Sequence, residues 1–492
     1  MTGVLSPERL VLLALLVPFA GALIIPLFRT RPNLRETVTL ATATLLCLVI
    51  FGLLGPVLGG AQPQAHIMDV APGLALAFKV EPLGMLFALL ASTLWIVNSI
   101  YSIGYMRANN EPRQTSFYVC FAVALGSTIG IAFAKNLFTL FLFYEALTIS
   151  TYPLVTHKAD AEAVRAGRIY LLLLLGTSLV LFLPAIVITW VIAGTLDFTP
   201  GGILAGRLGA PLIAVLLALY VFGIGKAAVM PLHFWLPAAM VAPTPVSALL
   251  HAVAVVKAGV FAILKVAVLI FGVDTLSSLG QSAWLTAVAG TTILAASIVA
   301  LRQDNLKRRL AYSTVAQLSY VILGVAILAP ISVTGAAMHL AAHSLGKITL
   351  FFAAGSIHTA SHLTEVSQLD GIGRRMPWTM GAFAIGALAM IGIPPTAGFL
   401  GKWYILSGAM QTASWGAVAV IIVSTLLTAA YFLPIVFRAF FRESAGHKHE
   451  KHETREAPWP MVVALTATAA GTVLMFLSPQ IPYALAQMMI AR

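Results

Sequence analysis

KAAVMPLHFWLPAAMVAPTPVSALLHAVAVVKAGVFAILK, residues 226–265, carries three lysines and two histidines among apolar residues and contains no carboxylate. Pro231, Pro237, Pro243 and Pro245 interrupt any helix over its first half, because proline removes an N–H and clashes with the preceding turn. From residue 246 to Phe271 the chain runs on without proline and almost without polarity. About 20 apolar residues cross a bilayer core as a helix. The stretch therefore reads as a spanning helix over 246–271, preceded by a span over 210–230 that breaks at Pro231.

The rest of the chain has the same character. Of 492 residues, 60% are hydrophobic and 9% are charged, against about 25% charged in soluble domains. That composition excludes soluble, disordered, collagen-like and disulfide-scaffold classes, and runs of this length favour helices over porin strands. The expected architecture is an all-α membrane protein of about fourteen spans. These lie at 9–28, 37–58, 82–105, 114–134, 136–156, 167–193, 210–230, 246–271, 283–301, 308–330, 332–357, 378–410, 414–437 and 459–488. The first run is read as a retained helix rather than a signal peptide, since it has Glu8 beside Arg9 and no small-x-small cleavage site. Cys47 and Cys120 lie inside apolar runs and read as small buried residues.

Basic residues test the count. Nineteen of the 29 fall in loops after odd-numbered spans, from Arg29, Arg31 and Arg35 to the cluster of Arg438, Arg442, Lys448, Lys451 and Arg455. The opposite side, termini included, holds Arg9, Lys79, Lys135, Arg207 and Arg492. The formal charge of +12 is thus mostly a topology signal, and nucleic acid is not an expected partner. On this pattern both termini lie outside the cytoplasm, in a multi-pass protein of the inner (plasma) membrane.

Charges remaining within spans are few. Of 17 acids, Glu145 alone stands mid-span, while Glu36 and Glu81 open helices. Lys226, Lys257, Lys265, Lys347 and Lys402 are the intramembrane cations. An ionisable residue at a helix centre costs about 2.5–3.5 kcal/mol on insertion scales, so such residues line polar pathways or pair with one another. Lys265, near the outer end of its helix, suits snorkelling or a structural ion pair. His339, His343 and Lys347 follow at i, i+4 and i+8 and share one helical stripe. Leu340-Ala341-Ala342 between the histidines supplies no carboxylate for a catalytic zinc site, whereas histidine suits proton relay. His251 lies beyond Ser247 in the same span as Lys257. His447, His449 and His452 fall in a charged loop, where a solvated surface is the default reading.

Two spans carry helix breakers at related places, GIGKAAVMPLHFWLPAAM with Lys226 and GIPPTAGFLGKWYILSGAM with Lys402. Such interruptions in corresponding positions of two halves point to a transport site. The offset between the lysines nearly equals that between the fourth and ninth spans, so two five-helix units are expected. Five being odd, the second copy would be inverted. The chain then divides into 1–110 (three N-terminal spans), 111–275 and 276–440 (the repeats), and 441–492 (charged loop and last helix).

At these residues the chain resembles the proton-conducting antiporter-like subunits. That family includes the large membrane subunits of respiratory complex I, Mrp-type cation/proton antiporter subunits and relatives in membrane-bound hydrogenases. Residues 226–265, FYEALTISTYPLV around Glu145, MHLAAHSLGKITLFFAAGSIHTA and GIPPTAGFLGKW carry the resemblance, which extends over about 80–440. It implies fourteen helices, inverted five-helix repeats and a proton route at the membrane midplane. It further implies that Glu145 partners Lys226, that Lys257 with His251 is a central relay, and that His339, His343 and Lys347 form the next segment. Lys402 would be the terminal lysine. Lysine at that place is similar to the D-type member of the Mrp set and to some complex I subunits, and the length of the chain is similar to the D-type member. Ala238 departs from many relatives, which carry an acid after WLP.

The resemblance implies a subunit that couples proton movement to monovalent-cation export beside other membrane subunits. A redox-driven pump subunit of the complex I or hydrogenase type is the alternative, and a non-transporting scaffold is a third. No P-loop, dinucleotide GxGxxG, CxxC or Ser/His/Asp pattern occurs, so no cofactor is implied.

Overall fold

The computed structural model describes residues 6–443 and 456–490; the loop with His447, His449 and His452 lies outside them. The chain is almost wholly helical. Three helices come first, α1 (Pro7–Ile24), α2 (Pro32–Leu58) and α3 (Pro82–Ala108). Proline opens each, at the position where its missing N–H has no intrahelical partner to lose. Next come α4 (Gln114–Phe133), α5 (Leu137–Val155) and α6 (Ala161–Ala193). Asn136 caps α5 by accepting from the Thr139 N–H, and Asp160 caps α6 through the Ala163 N–H, each satisfying an orphan donor of the first turn.

The first broken helix follows. α7 (Ala210–Gly223) stops before a tight turn at Gly225–Ala227, and helix resumes as a short segment at Trp235–Ala238. Beyond it are α8 (Thr244–Phe271), α9 (Ser282–Arg302), α10 (Leu306–Ala326) and α11 (Pro330–Ser361). The second break separates α12 (Pro377–Ile391) from α13 (Ala397–Gln411) at Pro394-Pro395. α14 (Trp415–Phe441), α15 (Trp459–Leu477) and α16 (Gln480–Met488) complete the described chain.

Among the described residues, eleven helices are long and apolar enough to cross a membrane. α7 and α12 are shorter apolar helices because the chain breaks after them, and α10 is long but carries Lys307, Arg308 and Arg309 in its first turn. Together they occupy the fourteen expected segments. The protein is a multi-pass membrane protein.

Burial orders the layers. The most apolar window of α8 is 100% buried and that of α11 is 94% buried, against 33% for α6 and α14. α8 and α11 therefore form the centre of the bundle, and every lysine they carry is enclosed by protein.

Two expectations need correction. Residues 59–81, read only as a connection, contain an antiparallel hairpin, Gln64–Ala71 with Leu74–Lys79. Its alternation is weak, and its strands are held by docking rather than by pattern: Asn136 donates to the Ala75 carbonyl at 2.9 Å. The span at 246–271 is not a regular helix. Wide π turns occupy Leu249–Val253 and Ala267–Phe271, and the first re-aims His251, as such bulges do at functional sites. The last span is two helices, parted at Ser478-Pro479 where the sequence places its interruption. Cys47 and Cys120 are free thiols.

Candidate functional site

Lys226 sits in the turn that ends α7, fully buried. The turn is held in place from two directions. The Trp235 indole donates to the Gly225 carbonyl at 3.0 Å, and Gly259 of α8 lies so close that a Cβ there would collide with the backbone of Lys226 and Ala227. The ammonium donates to the Tyr144 carbonyl at 2.8 Å and to Thr148 Oγ1 at 2.5 Å, both on α5. It also lies over the Tyr144 ring, a cation–π placement that is strengthened by desolvation.

Glu145 is within electrostatic range of Lys226, but its carboxylate oxygens are buried without any hydrogen-bond partner. The expected Glu145–Lys226 contact is thus open in this structure, with Tyr144 and Thr148 holding the lysine. Leu142 and Ile149, neighbours of Glu145 on its helical face, are 42% and 62% exposed. The glutamate therefore stands between the core and the outer surface of the chain.

Lys257 and His343 meet directly. Lys257 Nζ is 2.5 Å from His343 Nδ1 and donates to the Leu340 carbonyl at 3.1 Å. His251 contacts Thr314 of α10, Nδ1 to Oγ1 at 3.1 Å. Lys347, two turns from His339, points to α10 as well and donates to Ser313 Oγ at 2.9 Å. The rings of His339 and His343 lie 6.1 Å apart, as the shared stripe predicts.

Lys402 answers the second break differently from Lys226. It reaches back to the freed end of α12, donating to the Met390 and Ile391 carbonyls at 2.8 and 3.0 Å. The last carbonyls of a helix need such donors, and irregular backbone at membrane depth survives only where its polar groups are satisfied. Gly401 lies against His339 with no room for a Cβ, which seats α13 on α11.

Lys265 belongs to another cluster. Its ammonium lies 3.1 Å from Glu81 Oε2 and donates to the Ala134 carbonyl at 2.6 Å, with Lys79 3.4 Å from the other Glu81 oxygen. This is a structural ion pair, and it ties the hairpin and the start of α3 to α8. Glu81 does precede α3, but its side chain serves Lys265 and makes no capping bond.

Charge placement alone does not point to the groups that hold these side chains: Tyr144 and Thr148 at Lys226, Ser313 at Lys347 and Thr314 at His251. A separate cavity of about 940 Å³ opens among the basic loops, lined by Lys158, Lys307, His358, Thr244 and Ala238. No group of three His, Cys, Asp or Glu able to hold a metal assembles among the described residues.

Four buried lysines held by carbonyls, hydroxyls and an imidazole, with no carboxylate bonded to any of them, can bind and release protons without breaking an ion pair. Residues 134–428 match the family described as NADH:quinone oxidoreductase/Mrp antiporter, transmembrane. The chain is 32% identical over 445 residues to the N subunit of the NADH-quinone oxidoreductase of Desulforudis audaxviator, covering 89% of this chain and 86% of that one. It is 25% identical over 472 residues to the D subunit of the Na(+)/H(+) antiporter of Alkalihalophilus pseudofirmus, covering 95% and 94%. Its fold matches a chain in the Mrp complex from Dietzia sp. DQ12-45-1b with a TM-score of 0.86 and 23% identity, covering 99% and 97%. The chain belongs to the NADH:quinone oxidoreductase/Mrp antiporter transmembrane family, as an antiporter-like membrane subunit. Relatives of this kind are subunits of larger membrane complexes, so further membrane subunits are its partners.

Proposed function

We propose that the chain is the proton-translocating subunit of a multisubunit Na+/H+ antiporter, and that Glu145, Lys226, Lys257, His251, His343, His339, Lys347 and Lys402 carry the proton. The observation that carries this reading is the Lys257–His343 contact. It puts a proton donor and acceptor from two central helices within one hydrogen bond of each other. Closing Glu145 on Lys226 would hold a proton on the lysine, since charge coupling is strong at low dielectric. Opening it would leave Lys226 on neutral acceptors and ready to pass the proton inward to Lys257 and His343. From there the route runs to Lys347 and ends at Lys402.

The breaks at Lys226 and Lys402 support two inverted five-helix repeats, residues 111–275 and 276–440, flanked by 1–110 and 441–492. The distribution of basic loops supports both termini outside the cytoplasm, in the plasma membrane. Coverage of nearly the whole of both chains in the comparison with the Na(+)/H(+) antiporter relative supports the antiporter reading over the alternative.

The greater identity to the N subunit of an NADH-quinone oxidoreductase favours a second reading, a redox-driven pump subunit with the same internal route. Purifying the complex from its native membrane decides between them. Co-purifying antiporter subunits and sodium-dependent proton efflux in vesicles fit the first, and iron–sulfur and quinone-site subunits fit the second.

A further inference from the structure

The cavity of about 940 Å³ among the basic loops has no part in the relay, and none of the relay residues lines it. Lys158, Arg165, Lys307 and Arg308 stand on its walls. None of the four forms an ion pair among the described residues. Lys307 donates to the Ala242 carbonyl at 2.6 Å. His358 Nδ1, buried at the same cavity, makes no hydrogen bond.

Four acids share these walls, and three of them are already engaged. Asp160 accepts from the Ala163 N–H at 2.7 Å as the cap of α6. Asp304 accepts from the Ser367 N–H at 2.9 Å and from its hydroxyl at 2.6 Å. Glu365 accepts from the Asn305 amide at 3.0 Å. Glu162 lies in the first turn of α6, where the helix macrodipole favours a negative charge. The four cations are thus left facing a concave space without a bonded anion. A monovalent cation there would meet like charges, whereas a phosphate suits the fork of an arginine and the point charge of a lysine.

The same wall runs on down the outside of the bundle. Arg165 and Ile169 line the cavity, and Leu172, Gly176 and Leu179 follow on the same face of α6. Leu172 is 75% and Leu179 51% exposed, and a Cβ on Gly176 would meet nothing within 4 Å. Ile169 to Leu179 covers about 15 Å at 1.5 Å per residue, which is half of a hydrocarbon core of about 30 Å. Positive charge above an apolar track one leaflet deep is complementary to a single phospholipid.

We infer that this cavity binds the headgroup of an anionic phospholipid, with an acyl chain lying along the Ile169–Leu179 face of α6. Basic pockets between membrane helices bind such headgroups through their phosphate. Lys158 and Arg165 are exposed at the loop side and meet the phosphate first. The open place at Gly176 admits the chain.

The test is a binding titration on the purified, delipidated full complex, read by native mass spectrometry. The probes are phosphatidylglycerol, phosphatidylcholine, inorganic phosphate and the water-soluble headgroup glycerophosphoglycerol. Wild type should retain one phosphatidylglycerol that phosphatidylcholine does not displace. Lys158→Gln combined with Arg165→Gln removes two exposed charges and should weaken that binding roughly thirtyfold. Gly176→Phe fills the track and leaves every charge in place, so it should weaken the lipid as well. Equal retention of the two lipids, or undiminished phosphatidylglycerol binding in the charge variant or in Gly176→Phe, overturns the inference. Inorganic phosphate or glycerophosphoglycerol binding as tightly as the lipid would make this a site for a free phosphate and overturns it too. So does a density map of the complex with a carboxylate of a neighbouring subunit seated in the cavity. Lipid binding is read without transport, so its outcome and that of the proton relay are independent.

Discussion

Lys257 Nζ and His343 Nδ1 lie 2.5 Å apart, joining α8 to α11 at the most enclosed part of the bundle. Residues in one hydrogen bond do not contribute independently, and coupling energies of about 0.5–3 kcal/mol are typical. Lys257→Ala and His343→Ala should each lower proton flux severely, and the double variant should lose little more than either single one. A double-mutant cycle on flux, with assembly checked by size-exclusion chromatography, measures this. Additive losses would mean that the two act separately.

Lys402 has two duties that can be separated. As a donor to the Met390 and Ile391 carbonyls it satisfies the broken end of α12, and each acceptor left bare costs about 1–3 kcal/mol. Lys402→Ala should therefore abolish transport and also lower the melting temperature of the complex. Lys402→Gln keeps an N–H donor and should recover part of the stability with no recovery of transport.

The Lys265–Glu81 pair is architectural. Breaking a buried pair by removing one partner costs about 3–5 kcal/mol, because the other charge is stranded. Lys265→Ala and Glu81→Gln should reduce the yield of folded complex. Whatever complex assembles should pump at the normal rate per molecule. A normal yield with lost flux would place this pair on the transport route instead.

Acid should act first at the basic-loop face. Burial, with the charge of Arg113 adding to it, holds His157 down at about 4, while an unfolded histidine protonates near 6.5. Between these values the unfolded chain binds the extra proton, so stability falls as pH drops from about 6.5 toward 4 and is unaffected above that window. Thermal unfolding of purified complex across that range should show the loss. His157→Gln should flatten it, and an unchanged pH profile in that variant would contradict the assignment.

The lysines and Glu145 were legible in the sequence because a charge inside an apolar run is conspicuous and expensive. Their partners were not. Thr148, Ser313 and Thr314 are residues that apolar helices carry routinely, usually bonding back to their own backbone, so composition gives no sign of which ones hold a lysine or, for Thr314, a histidine. Only the packing of α5 against the turn after α7, and of α10 against α8 and α11, selects them. Glu81 does open α3, as its place before Pro82 indicates, but its pairing with Lys265 joins residues far apart in the sequence and so left no local sign. The helix breaks were marked by proline, whereas the π turn at Leu249–Val253 carries neither proline nor glycine and left no trace.

Proton flux through vesicles containing the complete complex with Lys226→Ala tests the midplane relay most directly, with Glu145→Gln measured beside it. A relay through Lys226 requires flux to vanish in the lysine variant, and in Glu145→Gln, while the complex still assembles. Wild-type flux in assembled Lys226→Ala complex would show that protons cross by another route.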